Sequence, residues 1–326
     1  MNLHNPNLPM TADSKKQTPP TRKLAELLEH CPAKNILGTL DRAITGVAFD
    51  SRKIEPGGLF VAIHGYQEDG SHFIEDALHR GALAFITETE FDKLPGHHLA
   101  ANGTTAIRVE DARLALSRVS AEYYRHPSRD LDLVGITGTN GKTTLTYILE
   151  TLFEAARKPT GVIGTINYRY GGVVQQAASV TTPESLDINR MLRDMAGRGI
   201  GTCFLEVSSH SLTLKRVREM TFQVAVFTNL SRDHLDFHGT MEAYANAKKE
   251  LFRANDVKKR VLNTDDPIGR EILKESGVET LTTGIDHPAD VKAEDCVLSE
   301  EGSRFTLQTP SGNREIFTHL LGKHNV

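Results

Sequence analysis

The sequence contains few cysteines and no excess of positive charge. Its three thiols, Cys31, Cys203 and Cys296, are widely spaced and form no Cys-x-x-Cys pair. This odd, scattered set argues against a disulfide framework and against a zinc site, and it favours a reducing compartment. The 38 lysines and arginines face 42 aspartates and glutamates, which gives a formal charge of −4. We therefore expect no nucleic-acid partner, because any polyanion must be bound by a local site.

Long hydrophobic runs are also missing. No apolar stretch reaches the roughly 18 residues that a membrane span needs, so we expect no membrane insertion. Residues 1–21 lack the apolar segment of a signal peptide, and we interpret them as a disordered leader. These absences predict a cytoplasmic protein. Its 326 residues are 39% hydrophobic and 25% charged, which is typical of a globular chain with about two domains.

Strand-like and helix-like segments alternate in two successive units. Residues 22–129 predict a small α/β domain, and residues 130–326 predict a parallel sheet with helices on both faces. Ligands bind such sheets at the carboxyl ends of the strands. Near the end, Ser303–Gln308 and Arg314–Thr318 predict a β-hairpin. The other predicted strands are Leu59–Ile63, Leu83–Ile86, Thr105–Val109, Leu131–Thr137, Gly161–Ile166, Thr202–Val207, Val224–Thr228 and Arg260–Asn263, and the predicted helices are Phe73–His79, Ala112–Tyr124, Lys142–Ala156, Leu186–Ala196 and Met241–Phe252.

A glycine-rich loop separates the first strand of the second unit from its helix. Backbone N–H groups of such a loop and of the helix start can surround a phosphate, Lys142 can reach the β- and γ-phosphates, and the Thr143 hydroxyl can bind Mg²⁺. The usual pattern Gly-x-x-x-x-Gly-Lys-Ser/Thr is missed, because Ile136 stands five residues before Gly141. A plain turn is the alternative, but the position between strand and helix favours nucleotide binding. The loop consists of Gly138, Thr139, Asn140, Gly141, Lys142, Thr143 and Thr144.

Further polar residues follow the next strands. Glu206 ends a strand and could hold Mg²⁺ or simply lie in a solvated loop. The spacing His234-x-Asp236-x-His238 is compatible with a metal-dependent hydrolase, but we find no further ligand cluster downstream. A capping role for His234 is the alternative. By spacing alone, Lys248 and Arg216 would be solvated surface bases.

Five separate stretches together resemble the Mur ligase family. They are Gly138–Thr144, Thr181–Glu184 (TTPE), Glu206–His210 (EVSSH), Asn229–Asp236 (NLSRDHLD) and Ala247-Lys248. TTPE and EVSSH resemble the MurE-type members most, as do Asp50-Ser51-Arg52, Pro56–Ala62 and Gly65–Gly70. The resemblance covers residues 22 to 326. It implies a small N-terminal uridine-nucleotide domain, a central ATP-binding domain and a C-terminal Rossmann-like domain, and we expect the third domain to be absent from this chain.

The resemblance also implies roles for particular residues. Lys142, His234 and Lys248 would be catalytic, with Lys248 carbamylated by CO₂, and Asn325 would lie on the adenine side of ATP. Two Mg²⁺ ions would be bound by Thr143, Glu206, His234 and the Lys248 carbamate. Leu214 replaces a glutamine of some members, so no contact is assigned to it. The residues implied for UDP-MurNAc-L-Ala-D-Glu are Ser51, Gly65, Tyr66, Gln67, Asp69 and Gly70 on the uridine side and Thr181, Thr182, Ser208 and Arg216 for the remainder.

The implied reaction is the ATP-dependent formation of an amide in peptidoglycan precursor synthesis. The D-glutamate carboxylate would attack the γ-phosphate to give an acyl phosphate, and the amine of meso-diaminopimelate or L-lysine would displace the phosphate. We expect a monomer that binds both nucleotides but does not complete the reaction alone. Two alternatives remain: a non-catalytic P-loop module, and ligation of glutamate to a pterin as in folylpolyglutamate synthetase, against which the presence of residues 22–129 argues.

Overall fold

Two sheets organise the protein. The computed structural model describes residues 21–65, 68–94, 103–253, 255–275 and 277–326. Tyr66, Gln67 and residues 1–20 of the predicted leader therefore lie outside the described residues. A five-stranded sheet spans residues 33–109, and an eleven-stranded sheet spans residues 132–318. Helices alternate with strands in both parts, so the predicted α/β class is confirmed.

The helices and strands lie close to the predicted positions. The helices are α1 (Leu24–Leu27), α2 (Ile74–His79), α3 (Ala112–Tyr123), α4 (Lys142–Ala155), α5 (Ser185–Gly197), α6 (Ser209–Thr213), α7 (Leu235–His238), α8 (Met241–Arg253) and α9 (Pro267–Leu273). The strands are β1 (Arg22–Lys23), β2 (Ala33–Leu37), β3 (Ala43–Ile44), β4 (Val47–Ala48), β5 (Leu59–Val61), β6 (Ala84–Thr87), β7 (Thr105–Val109), β8 (Asp132–Thr137), β9 (Thr160–Ile163), β10 (Asn167–Tyr170), β11 (Val173–Ala177), β12 (Thr202–Glu206), β13 (Thr221–Phe227), β14 (Asp256–Asn263), β15 (Glu279–Gly284), β16 (Val291–Ser299), β17 (Gly302–Thr309) and β18 (Gly312–Thr318).

The first sheet has the order β2-β7-β6-β5-β4, and β4 to β7 pair in parallel while β2 is antiparallel at one edge. Helix α3 packs on this sheet. Asp111 caps it by accepting from the backbone N–H of Leu114 at 2.8 Å. The buried apolar side chains of α3 recur every three to four residues, so they form one face of the helix that packs into the core of the sheet. That face consists of Ala112, Ala115, Leu116 and Val119.

The second sheet is parallel in its centre and antiparallel at both ends. Its order is β11-β10-β9-β12-β8-β13-β14-β15-β16-β17-β18. The parallel strands are β9, β12, β8, β13, β14, β15 and β16. The predicted hairpin at the end of the chain is confirmed as β17–β18. A second hairpin, β10–β11, was not predicted from the sequence. Its turn is Gly171-Gly172, with both φ angles positive, which suits the tight turns that join antiparallel strands.

The two faces of this sheet are covered unequally. Helices α5, α8 and α9 share a core with one face, through residues such as Leu192, Leu251 and Ile272. Helix α4 lies over the other face, where Phe153 meets Phe204 edge to face at 5.3 Å. Of the residues in α4, only Thr146 is buried. The prediction of helices on both faces holds, but α4 remains largely accessible. No helix in the described part of the chain is long and apolar enough to cross a bilayer.

Candidate functional site

The glycine-rich loop leaves β8 and enters α4 in a conformation that requires glycine. Gly138 has φ +148°, and a Cβ there would overlap Thr228 Oγ1. Gly141, the N-cap of α4, has φ +88° and offers no side chain to cap the helix. The first N–H groups of this 14-residue helix thus keep their capacity to bind an anion. This geometry fits the predicted phosphate loop.

The loop that follows β13 supports the phosphate loop. Thr139 N donates to Asn229 O at 2.8 Å, and Asn140 N donates to Asn229 Oδ1 at 3.1 Å. Thr228 Oγ1 donates to Asn140 O at 2.7 Å. The supporting roles of Thr228 and Asn229 were not predicted from the sequence, which singled out this stretch for its potential ligands. The sequence signal for these supporting roles is a run of short polar residues directly after a predicted strand.

Glu206 and Thr143, both assigned to Mg²⁺ by the resemblance, lie in contact. Glu206 is the last residue of β12, which pairs with β8 in the sheet, and it is 1% exposed. Thr143 Oγ1 donates to Glu206 Oε2 at 2.8 Å. Thr165, which sequence reasoning missed, donates to the same carboxylate from its hydroxyl at 2.9 Å and from its N–H at 3.2 Å.

This arrangement also shortens a predicted strand. The strand expected over Gly161–Ile166 ends at Ile163, because the chain must pass close to the Glu206 carboxylate. A Cβ at Gly164 would overlap Glu206 Oε1. Among the described residues, no group of three or more histidine, cysteine, aspartate or glutamate side chains could hold a metal ion. The pair of Glu206 and Thr143 nevertheless supplies oxygen ligands, one buried and one partly buried, which a hard cation such as Mg²⁺ prefers.

Lys248 is buried, contrary to what its spacing alone indicated. It lies on α8, is 1% exposed, and donates to Gly138 O at 2.8 Å with its ammonium 4.6 Å from the ring centre of Tyr244. Burial, followed by the charge of Lys142, lowers the pKa of Lys248 to about 7. Burial also lowers the pKa of Lys142, which donates to Gly138 O at 2.9 Å and to Thr139 O at 3.0 Å.

His234 belongs to a cluster of aromatic rings at the start of α7. Its side chain is about half exposed, and its Nε2 lies 3.5 Å from Asp233 Oδ2. His210 meets His234 edge to face at 4.8 Å and stacks on Phe237 at 4.1 Å. Burial lowers the pKa of His210 and that of His238, and the neighbouring histidines lower both further. His238 Nε2 lies 2.9 Å from Ser209 Oγ. Among the described residues these histidines join no group of three or more potential metal ligands, so the structure gives no support to the two-metal hydrolase alternative.

A cavity of about 320 Å³, the groove, lies between the two parts of the chain. Phe49 and Lys53 line it from the N-terminal part, on either side of the buried Ser51. The central part contributes Glu184 and Arg216. The remaining lining residues are Tyr168, Gln176, Ser179, Val180, Pro183, Asp187, Arg190 and Met191.

The residues assigned to the substrate beyond its uridine are brought together beside this cavity. Thr182 Oγ1 donates to the backbone O of Glu206 at 2.8 Å and accepts from Ser208 N at 3.0 Å. Thr181 Oγ1 lies 3.2 Å from Thr165 Oγ1. Arg216 Nη1 donates to Thr182 O at 2.9 Å. The groove and the phosphate loop therefore share one network of hydrogen bonds.

The loop Gly65–Gly70 is compact where the structure describes it. Gly65 N donates to Glu68 O at 2.9 Å, and Asp69 caps the following turn through Ser71 N. A Cβ at Gly70 would lie 2.6 Å from Ile63 O, so this position requires glycine. At the end of the chain, Asn325 Nδ2 donates to Leu321 O at 2.8 Å.

Two family models match the chain. The Mur ligase middle domain matches residues 136–326, and the Mur ligase family catalytic domain matches residues 43–124. The chain belongs to the Mur ligase family. The first match covers the phosphate loop, Glu206 and Lys248, and the second covers α3 and the parallel strands β4 to β7 of the first sheet, so the resemblance inferred from five short stretches extends through both parts of the molecule.

Similar proteins carry related names. The UDP-N-acetylmuramoyl-L-alanyl-D-glutamate--2,6-diaminopimelate ligase of Geobacter sulfurreducens is 42% identical over 298 residues, which are 89% of this chain and 57% of that protein. A ligase of the same type from Clostridium acetobutylicum is 38% identical over 93% of this chain and 61% of its own length. The chain thus spans about three fifths of the length of these Mur ligases.

Solved structures agree on the fold. A UDP-N-acetylmuramoyl-L-alanyl-D-glutamate--2,6-diaminopimelate ligase superposes with a TM-score of 0.78 at 31% identity, over 94% of this chain and 61% of that one. MurF from Acinetobacter baumannii superposes with a TM-score of 0.62 at 21% identity, over 94% of this chain and 63% of that one. The second likeness shows the shared Mur ligase fold alone.

Proposed function

We propose that this chain carries the ATP site and the uridine-nucleotide site of a ligase that adds the third amino acid to UDP-MurNAc-L-Ala-D-Glu. The observation that carries the proposal is the position of Thr182. Its hydroxyl joins the backbone of Glu206, beside the phosphate loop, to Ser208 in the groove. A nucleotide phosphate and an acceptor carboxylate bound on the two sides of Thr182 would be neighbours, which is what phosphoryl transfer between them needs.

The residues present fit ATP and Mg²⁺. The ammonium of Lys142 donates to two backbone carbonyl oxygens, and it would donate to a phosphate instead when ATP binds. Glu206 and Thr143 would hold Mg²⁺, whose charge offsets the repulsion between phosphate and carboxylate. The exposed N–H groups at the start of α4 would bind the remaining phosphate oxygens. His234 is the proposed additional metal ligand, and Asn325 the proposed adenine contact.

Carbamylation of Lys248 is part of the proposal. Its neutral amine would attack the carbon of CO₂, form an N–C bond and lose a proton to solvent, which leaves a carbamate anion. The lowered pKa supports this step, because only the uncharged amine is nucleophilic. The carbamate would also turn an unfavourable buried cation into an anion beside Lys142. In a titration with ¹³C-labelled bicarbonate, we expect a carbonyl resonance in the wild-type protein that Lys248→Ala abolishes.

The third amino acid is proposed to be 2,6-diaminopimelate, because relatives at 38 and 42% identity are named for it. Attack of the D-glutamate carboxylate on the γ-phosphate would give an acyl phosphate, and the amine would then displace phosphate to form the amide. We further propose that the protein acts in the cytoplasm as a monomer. Ser51 and the loop Gly65–Gly70 would bind the uridine part.

Calorimetric titration with two ligands tests the proposal. The chain should bind both UDP-MurNAc-L-Ala-D-Glu and MgATP. Lys142→Ala should abolish MgATP binding without unfolding the protein, whereas Lys274→Ala, at the exposed residue that follows α9, should leave MgATP binding unchanged. Binding of MgATP alone would instead indicate a non-catalytic P-loop module, and binding of neither ligand would refute the proposed function.

A further inference from the structure

Glu184 is held by two arginines that come from different parts of the chain. It precedes α5, and its Oε1 accepts from Arg216 Nε at 2.9 Å and lies 2.8 Å from Arg216 Nη2. The same oxygen accepts from Arg113 Nη1 at 3.3 Å, and Arg113 lies on α3 of the N-terminal part. All three side chains are only 13–16% exposed. Ion pairs removed from water in this way are screened less than surface pairs.

Each arginine also donates a hydrogen bond to a backbone carbonyl. Arg113 Nη2 donates to the carbonyl of His64 at 2.6 Å, and His64 directly precedes the loop Gly65–Gly70. Arg216 Nη1 donates to the carbonyl of Thr182 at 2.9 Å. One carboxylate therefore connects the backbone of His64 in the N-terminal part to the backbone of Thr182 in the central part. Breaking either ion pair would leave a largely buried guanidinium without its counter-charge.

The charges around the cavity favour an anionic ligand. Its lining includes three basic side chains, Lys53, Arg190 and Arg216, and two acidic ones, Asp187 and Glu184. Because Glu184 is shared between two guanidinium groups, Arg216 is only partly neutralised. Its charge remains available to an anionic group of a ligand, while its geometry is fixed by Glu184 and Thr182.

We propose that Glu184 is a positioning residue for the uridine-linked substrate. It fixes the guanidinium of Arg216 toward the groove and, through Arg113, couples this orientation to the backbone of His64. This inference rests on the proposed function, since it names a residue that organises the same site. A purely electrostatic role predicts the opposite effect of substitution: removal of the negative charge would strengthen the attraction for an anion.

The test compares Glu184→Gln with a matched control. Glu150→Gln removes the ion pair between Glu150 and Arg169, which lies outside the groove. The two side chains are 17% and 12% exposed, so this pair is buried to a degree similar to that of Glu184 and Arg216. For Glu184→Gln we expect the Kd for UDP-MurNAc-L-Ala-D-Glu to rise about tenfold, as for loss of a partner in a desolvated ion pair. The Kd for MgADP should not change in either variant, which separates loss of positioning from loss of folding. Glu150→Gln should leave both affinities unchanged.

A second variant keeps the proposal testable if Glu184→Gln folds poorly. Arg113→Lys retains the charge, but a lysine cannot reach Glu184 and the His64 carbonyl with a fixed fork. It should also weaken binding of the uridine-linked ligand, and the double variant should lose no more than the weaker-binding single variant. An unchanged or lower Kd in Glu184→Gln, or additive losses in the double variant, would overturn this inference alone. Failure of the wild-type chain to bind the ligand would overturn the proposed function and this inference with it.

Discussion

Lys142 and Lys248 donate to one backbone oxygen, the carbonyl of Gly138, at 2.9 and 2.8 Å. The two lysines come from α4 and α8, so the phosphate loop is held from two helices at a single point. Two ammonium groups around one acceptor repel each other, and both are largely removed from water. The loop is thus ready to receive negative charge, and several measurable consequences follow from the residues around it.

Lys248→Met should raise the free energy of unfolding most at pH 7 and below. The folded-state pKa of about 7 lies below the 10.5 of an exposed lysine, so between these values the unfolded chain binds one proton more. Wild-type stability should therefore increase with pH in this window, by at most about 1.4 kcal/mol per pH unit. Below pH 7 the full penalty of burying the charge applies. Methionine has no such penalty, so its advantage should shrink as the pH rises above 7.

Urea unfolding between pH 6 and 9 in CO₂-free buffer measures this effect. Lys274→Met, at an exposed lysine, is the control and should show no pH-dependent difference from wild type. A constant difference between Lys248→Met and wild type across the range would show that Lys248 does not titrate in this window.

Gly138→Ala should destabilise the protein by about 2 kcal/mol. The added Cβ would overlap Thr228 Oγ1, and φ +148° is unfavourable for any residue with a side chain. Gly197→Ala is the matched control, because a Cβ at this position of α5 meets nothing within 4 Å. The control should be neutral or slightly stabilising. Thermal unfolding of both variants distinguishes them, and equal effects would argue against a strained loop.

Glu206→Gln should weaken binding of MgADP by about tenfold or more. Glutamine has the size of glutamate and can accept from Thr143 and Thr165, but it lacks the charge that a divalent cation requires. The Kd for ADP measured in EDTA should be the same for wild type and variant. If the variant loses affinity equally with and without Mg²⁺, Glu206 supports the loop rather than the metal.

Only Cys296 should react with iodoacetamide in the folded protein at pH 8. Burial raises the pKa of Cys31 to about 11 and that of Cys203 still further, so neither forms an accessible thiolate. Cys296 is only partly buried. Mass spectrometry should find one adduct in native buffer and three in urea, and Cys296→Ser should abolish the native adduct. Rapid native labelling of Cys203 would contradict the packing of β12.

The phosphate loop and Glu206 could be predicted from the sequence because the ends of parallel strands meet at one edge of a sheet. The helix α3 was predicted to within one residue because its apolar spacing is a local signal. The metal and substrate roles assigned by resemblance remain predictions, although the structure brings Thr143 to Glu206 and Thr182 to Ser208.

Other features depend on which strands are neighbours, and local pattern does not determine this. Thr165 reaches Glu206 because β9 pairs with β12, and Asn229 supports the phosphate loop because β13 pairs with β8. The burial of Lys248 likewise arises from the packing of α8 beneath the loop. The ion pair between Glu184 and Arg113 requires the contact between the two parts of the chain, about which a single sequence carries no signal.

The outer strand β11 has a practical consequence for handling the protein. Val173, Val174, Gln175, Gln176 and Ala177 are all exposed and carry no charge. In the part of the chain that the structure describes, β11 is the last strand on its side of the sheet, so one row of its amide and carbonyl groups lacks a strand partner. An uncharged edge strand of this kind can form backbone hydrogen bonds with a strand of another molecule. Concentrated preparations should therefore begin to self-associate along this strand, and a lysine in place of Gln175 should improve their solubility.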